Sequence, residues 1–232
     1  MSIKYYIKLK RKMIKTLTIL LILLNTIPTI AFATKFYPPY DYEDNNHNGW
    51  SVGIAESNHY STSHISEGKH ELYASCVAAS PYGEALAEAW GKYGIYFNPS
   101  DSGYYTIAAL IKWRGNITQW INGIGFFDRH IIIYSKLQII DTSTNNIVDG
   151  KTVYILYTSD LISERRLDKD CTIKLPYVYL QSTKVYKIEV INRVETYVHL
   201  AGTGGQESTG NFWSAYEPSW VQTTYIEVLK ET

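Results

Sequence analysis

HIIIYSKLQIID, residues 130–141, is an apolar and β-branched run that is shorter than a typical helix and is followed at once by turn residues. Residues 142–150, TSTNNIVDG, supply that turn, and residues 151–159, KTVYILYTS, resume the β-branched and aromatic pattern. Two such runs on either side of a polar turn predict an antiparallel pair of β-strands.

Runs of the same composition recur along the chain. They occupy residues 70–80, 104–113, 172–180, 184–194 and 223–229. With the 21 tyrosines of the chain, they bring the number of candidate strands to at least seven, separated by turn signals. This pattern is typical of a sandwich, so the sequence predicts an all-β fold, a single antiparallel β-sandwich of jelly-roll-like type.

Residues 82–97, YGEALAEAWGKYGIYF, fit either a helix or a strand. We favour a strand because the three glycines are poor residues for a helix interior. The choice matters for Glu84 and Glu88, the best candidate pair of carboxylates for glycoside hydrolysis. A strand holds them ~13 Å apart, beyond the roughly 5 to 9.5 Å that glycosidases use, whereas a helix would bring them within ~6 Å. Because the chain also lacks an H-E-x-x-H motif, we expect that the protein is not an enzyme.

Residues 1–33 combine six basic residues, a short apolar run and the ending AFA. This organisation predicts a secretory signal peptide that is removed by cleavage after Ala33. Its apolar run is shorter than the ~20 residues of a spanning helix, so no transmembrane segment is expected after signal removal. We expect an extended leader at 34–49, a β-sandwich domain at 50–232, and a secreted protein located in the extracellular space or at the cell surface.

Removal of the signal peptide changes the electrostatic balance of the protein. The whole chain has 22 basic and 22 acidic residues, and the six basic residues of the signal leave 16 against 22, a formal charge of −6. A nucleic-acid partner would require a clustered basic face, and no such cluster follows Lys35. We therefore expect no nucleic acid among the partners.

Two segments resemble known secreted proteins. Residues 97–109, FNPSDSGYYTIAA, combine Phe-x-Pro, Ser-Gly and Tyr-x-Ile, and residues 137–148, LQIIDTSTNNIV, run from a strand into a Thr-Asn turn. This pattern resembles secreted prokaryotic β-sandwich surface proteins, including jelly-roll carbohydrate-binding modules. The resemblance implies a jelly-roll-like sandwich outside the cell, indicates no specific family and carries over no binding or catalytic residue.

DNNHNGW, residues 44–50, matches the first half of a calcium loop. Asp44, Asn46 and Asn48 stand at the first, third and fifth positions, and a glycine follows at the sixth. Position twelve is Ala55 instead of an acid, so a closing ligand would have to come from elsewhere. The sequence leaves two interpretations open, a structural calcium site with these three ligands or a turn rich in Asn and Gly. Calcium is the candidate ion for this segment, and no cofactor is certain.

Four histidines crowd the same part of the chain. They are His47, His59, His64 and His70. A zinc site is the alternative that they raise, but their spacing does not suit a helical pair of ligands and no cysteine lies among them. Solvated loop histidines are the favoured interpretation.

Cys76 and Cys171 are the two cysteines of the chain, and an exported protein permits a disulfide between them. Such a bond would close a loop of ~100 residues and stabilise the fold by up to ~4.7 kcal/mol in a chain-entropy model. The alternative is two buried thiols, since Cys76 lies in an apolar, strand-like run. We favour the disulfide.

Four tryptophans are candidate ligand-binding residues. Trp113 and Trp120 bracket RGNITQ, which we interpret as an exposed loop, and Trp213 and Trp220 bracket SAYEPS. The faces of pyranose rings lie on such aromatic side chains, while nearby amides and carboxylates bind the hydroxyl groups. The competing interpretation is ordinary tryptophan packing in the core.

Two functional hypotheses follow. The first is a secreted cell-surface structural or adhesive β-sandwich that acts through surface association with the cell envelope or with other copies of itself. In this hypothesis residues 34–43 dock on a neighbour's sheet edge. The alternative is a non-catalytic carbohydrate-binding module that takes a glycan through exposed Trp and Tyr loops and is stabilised by calcium.

Overall fold

The computed structural model describes residues 33–159, 164–213 and 219–231, so the predicted signal peptide lies outside the described residues except for Ala33. These residues form eight β-strands, and every pairing between them is antiparallel. The strands are β1 (Ala33–Phe36), β2 (Tyr42–His64), β3 (Lys69–Phe97), β4 (Gly103–Asp141), β5 (Asn146–Thr158), β6 (Arg165–Leu180), β7 (Tyr186–Phe212) and β8 (Trp220–Lys230). Across the three described ranges, no helix has the length and apolar character needed to cross a membrane.

Four long strands, β2, β3, β4 and β7, bend together along one line, where the sheet folds over on itself. In β2 the register with β3 shifts between Gly53 and Ala55, which marks this line. Beyond the line the second half of β2 lies against the first half, and Asn45 Nδ2 donates to Ser63 Oγ at 2.9 Å. Side chains of one strand therefore meet across the space between two layers, which is the arrangement of a sandwich.

Glycines allow β4 and β7 to bend at the same line. Gly123 in β4 has a φ of 136° and Gly204 in β7 has a φ of 116°, a region that side-chain-bearing residues rarely adopt. A Cβ atom at Gly123 would overlap the carbonyl oxygen of Thr203, and one at Gly204 would overlap that of Asn122. The two backbones approach this closely because neither residue has a side chain. Strands β4 and β7 therefore bend together at this line.

The folded sheet defines two layers. The first layer contains β1, β6, β8 and residues 55–64, 69–79, 103–122 and 205–212. The second layer contains β5 and residues 42–53, 82–97, 126–141 and 186–201.

The core lies between the two layers and is built by alternation along the strands. Cys76 of the first layer places its Sγ 3.3 Å from the carbonyl oxygen of Thr196 in the second layer. Trp113 Nε1 donates across the same space to Ser135 Oγ at 2.9 Å. The predicted fold class, an all-β, single antiparallel, jelly-roll-like β-sandwich, is confirmed.

Residues 82–97 form a strand, as predicted. Ala85, Ala87 and Ala89 point into the core and are fully buried, whereas Glu84 and Glu88 lie on the outer face. The small alanine side chains leave room for the larger residues of the opposite layer, which explains why a run of helix formers occupies a strand here.

Most of the predicted leader, residues 34–49, is part of the sheet, and residues 37–41 connect its two strand segments. Ala33–Phe36 pairs with β8, with Phe36 opposite Ile226, and residues 42–49 form the beginning of β2. These residues are extended, but they pair with strands of their own chain. Docking of residues 34–43 on a neighbouring subunit stays a prediction, and within this chain residues 34–36 and 42–43 already pair with other strands.

Candidate functional site

Trp113, one of the four tryptophans predicted to bind a ligand, lies in the core and has no exposed surface. Its ring packs edge-on against Phe212, with the ring centroids 4.9 Å apart. The residues between Trp113 and Trp120 form continuous strand in β4 and not an exposed loop. The two tryptophans are seven positions apart, so period-two alternation turns them to opposite faces. The prediction of an exposed loop between Trp113 and Trp120 is therefore wrong, and so is the prediction that Trp113 binds a ligand.

The other three predicted tryptophans share the outer face of the first layer. Trp120 is 38% exposed and Trp213 is 43% exposed. Trp220 is partly buried, and both Lys69 and Arg114 place their cationic groups over its ring, at 5.5 and 5.8 Å from the centroid. Because cations already occupy the ring of Trp220, Trp120 and Trp213 offer the more accessible aromatic surfaces.

Trp120 marks one end of this face. Its Nε1 donates to Glu207 Oε2 at 2.6 Å, and its six-membered ring lies over Gly205, where a Cβ atom would come within 3.3 Å of Cη2. The hydrogen bond to a carboxylate fixes the orientation of the indole, and the glycine leaves the space that the ring covers. Trp120 is therefore a preorganised flat surface.

A row of hydroxyl and amide side chains crosses the strands next to Trp120. Thr209 donates from Oγ1 to Glu207 Oε1 at 2.8 Å, and its Oγ1 lies 2.8 Å from Ser75 Oγ. Since the Thr209 proton is engaged by Glu207, Ser75 is the donor in the second bond. Cα pairing continues this row to Asn58 on one side and Thr118 on the other. The row lies two positions, ~7 Å, from the row that contains Trp120.

Aromatic residues close the other end of the face. The Tyr60 ring lies 5.3 Å from that of Trp213, and the Tyr73 ring lies 6.4 Å from it. Tyr60 and Tyr73 are Cα partners, and they stand four positions, ~13 Å, from the row of Trp120. We call this surface the aromatic–hydroxyl face. Its members are Tyr60, Tyr73, Ser75, Trp120, Glu207, Thr209 and Trp213.

A concave region adjoins the Trp120 end of the aromatic–hydroxyl face. It has a volume of about 360 Å³ and includes Val77 and Glu56, which continue the Trp120–Glu207 row across β3 and β2. This volume falls within the usual range for small-ligand pockets, roughly 300 to 1,000 Å³. The sequence alone did not point to it, because its lining residues come from the line at which the sheet folds.

The outer face of the second layer has a different character, because charged groups dominate it. Arg193 Nη2 lies 2.5 Å from both Glu88 Oε2 and Glu195 Oε2. A hydrogen bond from His130, together with the charge of Arg193, lowers the pKa of Glu195 despite its burial. Lys92 lies 5.5 Å from the Trp90 centroid. Cations cover the rings of Trp90 and Tyr134 on this face, so these two rings are less open to stacking than those of the aromatic–hydroxyl face.

Glu84 and Glu88 do not form a catalytic pair in this structure. Their strand geometry is the one predicted, which separates them by ~13 Å along the chain. Glu84 accepts a hydrogen bond from Tyr197 at 2.8 Å, and Glu88 is held by Arg193. Each carboxylate is thus engaged separately.

Asp44, Asn46 and Asn48 lie along β2 and do not converge on one ion. Asp44 pairs with Lys92 at 3.1 Å, while Asn46 and Asn48 accept hydrogen bonds from the backbone N–H groups of the residues that follow them, each at 2.8 Å. Alternate positions of a strand are ~7 Å apart, too far for the 2.3–2.6 Å bonds of one calcium ion. The prediction of a calcium loop is therefore wrong, because the segment is a strand and not a loop.

Cys76 and Cys171 are buried free thiols. Cys76 contacts the second layer, whereas Cys171 lies in β6 at the edge of the first, opposite Ile111. Burial raises the pKa of Cys76 to about 12 and also raises that of Cys171, which keeps both in the unreactive thiol form. The expected disulfide is therefore wrong, and the structure has the alternative arrangement of two buried thiols.

Residues 49–53, GWSVG, match the G-x-S-x-G pattern of a hydrolase nucleophile, a match that our sequence reasoning did not use. The motif requires a sharp turn from strand to helix. Here it lies within β2, where Ser51 is the Cα partner of Ala85 in a regular ladder. Ser51 is exposed, but the pattern lacks the strand-to-helix turn that the motif requires.

No protein-family model matches the chain, and no curated protein matches it. Among solved structures, the chain is similar to the mannan-recognising carbohydrate-binding module TmCBM27, with 9% identity, a TM-score of 0.27, and coverage of 87% of this chain and 100% of that one. It is also similar to the family 11 carbohydrate-binding module of the Clostridium thermocellum cellulase Lic26A-Cel5E, with 9% identity, a TM-score of 0.23, and coverage of 85% and 95%.

A third similarity is to the enzymatically active domain of tailspike protein 4 from bacteriophage CBA120. The identity is 10%, the TM-score is 0.24, and the match covers 71% of this chain but only 18% of that one. These findings agree with a weak resemblance to carbohydrate-binding modules and identify no specific family. At such low TM-scores they carry no argument about function, which rests on the geometry of the site.

Proposed function

We propose that this protein is an exported carbohydrate-binding β-sandwich that binds a stretch of a neutral glycan along the aromatic–hydroxyl face. The observation that carries the proposal is the spacing of this face. Trp120 stands at one end, Tyr60 stands four positions, ~13 Å, away with its ring 5.3 Å from that of Trp213, and the row that runs from Asn58 to Thr118 lies between the two ends. Aromatic faces take the apolar faces of sugar rings, and hydroxyl groups between them bind sugar hydroxyls.

The charge of the aromatic–hydroxyl face supports a neutral ligand. Within β2, β3, β7 and β4, its three rows of Cα partners contain two acidic side chains, Glu56 and Glu207, and no lysine or arginine; at the edge of the face, Asn116 of the third row pairs with Arg166 in β6. Both carboxylate oxygens of Glu207 already accept hydrogen bonds from Trp120 and Thr209. The part of these rows in β2, β3, β7 and β4 offers an anionic polysaccharide no cation, whereas uncharged hydroxyl groups meet suitable partners there.

Substitution of either exposed tryptophan tests the proposal. We expect Trp120→Ala and Trp213→Ala each to weaken glycan binding at least tenfold, about 1.4 kcal/mol, because each removes a stacking surface. Binding is first found on a glycan array with the purified protein and then measured by calorimetry with the best neutral oligosaccharide.

Trp50→Ala is the matched control. Trp50 is 43% exposed, the same fraction as Trp213, but it lies on the outer face of the second layer, where its Cα partner is Leu86. Binding should be unchanged in this variant. Binding that is lost in Trp50→Ala and retained in the other two, or the absence of binding to every glycan on the array, would contradict the proposal.

Surface association is the second candidate function, and exposed apolar residues at the fold line favour it. Ile124 is 84% exposed and Phe126 is 58% exposed. The ring of Phe126 lies 5.3 Å from that of His199, which in turn lies 5.6 Å from that of Tyr82. These residues form a continuous apolar and aromatic strip, and such strips mark contact sites.

Light scattering of the purified protein tests this second candidate. We expect a mass above that of one chain, and we expect Ile124→Ser to return the mass to that of the monomer, because the substitution places a hydroxyl at the most exposed apolar position. Ile147→Ser is the control, since Ile147 is 57% exposed on β5, away from the fold line. A monomeric wild-type protein would contradict self-association.

A further inference from the structure

We propose that His47 and His59 form a binding site for a transition-metal ion of the Cu²⁺, Ni²⁺ or Zn²⁺ type. The Nδ1 atoms of the two rings lie 2.6 Å apart, and the ring centroids are 4.8 Å apart with a 38° angle between the ring planes. The two residues are twelve positions apart in sequence and meet because β2 folds over. This inference is independent of the proposed function.

The two Nδ1 atoms lie at hydrogen-bond distance, so in the metal-free protein one neutral ring donates its N–H to the other. Two neutral imidazoles share one proton at most at this distance, and two protonated rings would repel each other. A metal ion bound at 2.0–2.1 Å from each nitrogen in tetrahedral geometry requires the nitrogens to stand ~3.3 Å apart. The two nitrogens therefore need to move apart by less than ~1 Å to accommodate a metal ion.

The surroundings of the pair suit a partly open metal site. Both side chains lie at the open edge of the sandwich, where water has access. The described part of the chain contains no group of three or more His, Cys, Asp and Glu side chains able to hold a metal ion, so the protein supplies two ligands here and water supplies the others. Imidazole ligands favour Cu²⁺, Ni²⁺ and Zn²⁺, whereas Ca²⁺ and Mg²⁺ prefer oxygen.

Gly49 makes room for the pair. It stands two positions after His47 on the same side of β2, and a Cβ atom there would lie 2.7 Å from Cδ2 of His59. A side chain at position 49 would push the His59 ring away from its partner. The local sequence His-x-Gly thus positions the second imidazole, a role that does not depend on a calcium loop.

Metal titration of the purified protein, without a histidine tag, tests the proposal. We expect one Cu²⁺ ion per chain in calorimetry, nitrogen ligation in the electron paramagnetic resonance spectrum, and an affinity for Cu²⁺ above that for Ni²⁺ and Zn²⁺. Because the ion joins the two halves of β2, a free concentration one hundred times Kd should raise Tm by about 5–10 °C. Ca²⁺ should neither bind nor compete.

Variants of individual histidines decide between this site and unspecific binding. His47→Gln and His59→Gln should each lower the Cu²⁺ affinity at least tenfold and abolish the Tm shift, while the metal-free Tm stays close to that of the wild type. His64→Gln is the control, since His64 lies on the same strand but faces Glu71 at 3.7 Å. Equal affinity in the wild type and in the His47 and His59 variants, or no binding by the wild type, overturns the proposal.

Discussion

Trp113→Ala is expected to lower the free energy of unfolding by about 3–5 kcal/mol, the usual cost of removing a large aromatic residue from a core. Trp113 has no exposed surface, packs edge-on against Phe212 and donates a hydrogen bond to Ser135 across the two layers. Its removal leaves a cavity where the first layer meets the second. Chemical denaturation followed by circular dichroism measures this loss, and Trp120→Ala should cost less than about 1 kcal/mol because its ring is partly exposed.

Trp113→Phe separates the two contributions of the indole. Phenylalanine keeps much of the packing but cannot donate to Ser135, so an intermediate loss is expected, including about 1–3 kcal/mol for the unmade hydrogen bond. Ser135 keeps its bond to Asn192 Oδ1, which it donates at 2.7 Å. A Trp113→Ala variant with wild-type stability and reduced glycan binding would show that Trp113 is a ligand residue, contrary to its buried position.

The class of the fold could be predicted because alternation is a local property of the chain. Residues 82–97 and 130–159 carry their strand pattern in the sequence itself, and the structure confirms it. The way in which the long strands fold over could not be predicted, since it depends on which strands are neighbours. The glycines at 123 and 204 indicate a turn by composition, but only the pairing of β4 with β7 shows that they form one corner.

The candidate site was predictable by residue type and only partly by position. Tryptophan and tyrosine are the expected residues for a sugar surface, and Trp120 and Trp213 do lie exposed on one face. Trp113 was misplaced because residues 114–119, which continue its strand, were interpreted as a loop, and this removes the alternation that separates core from surface. Tyr60 and Glu207 gave no sequence signal, because each becomes part of the face through strand pairing over long distances in the chain.

The loss of stability on acidification is expected to depend on His70, which is fully buried, stacks on Tyr93 with ring centroids 4.1 Å apart and places Nδ1 3.2 Å from Ser63 Oγ. Burial lowers the pKa of His70 from its ordinary value of 6.5 to about 3. As pH falls below 6.5, the unfolded chain binds a proton at this residue and the folded chain does not, so the free energy of unfolding falls with pH. At 1.36 kcal/mol per unit, the loss between pH 6.5 and 4.5 is about 2–3 kcal/mol.

His70→Phe should remove this slope, because a phenyl ring fills a similar space against Tyr93 and binds no proton. Ser63 Oγ keeps the hydrogen bond from Asn45 in that variant. The comparison is made in a His59→Gln background, since the lowered pKa of His59 contributes to the same pH window. Carboxylates with lowered pKa values, such as Glu195, reduce stability only as pH falls below about 4.5, so the window from pH 6.5 to 4.5 isolates His70. Equal slopes in the two proteins would mean that His70 is accessible to protons in the folded state.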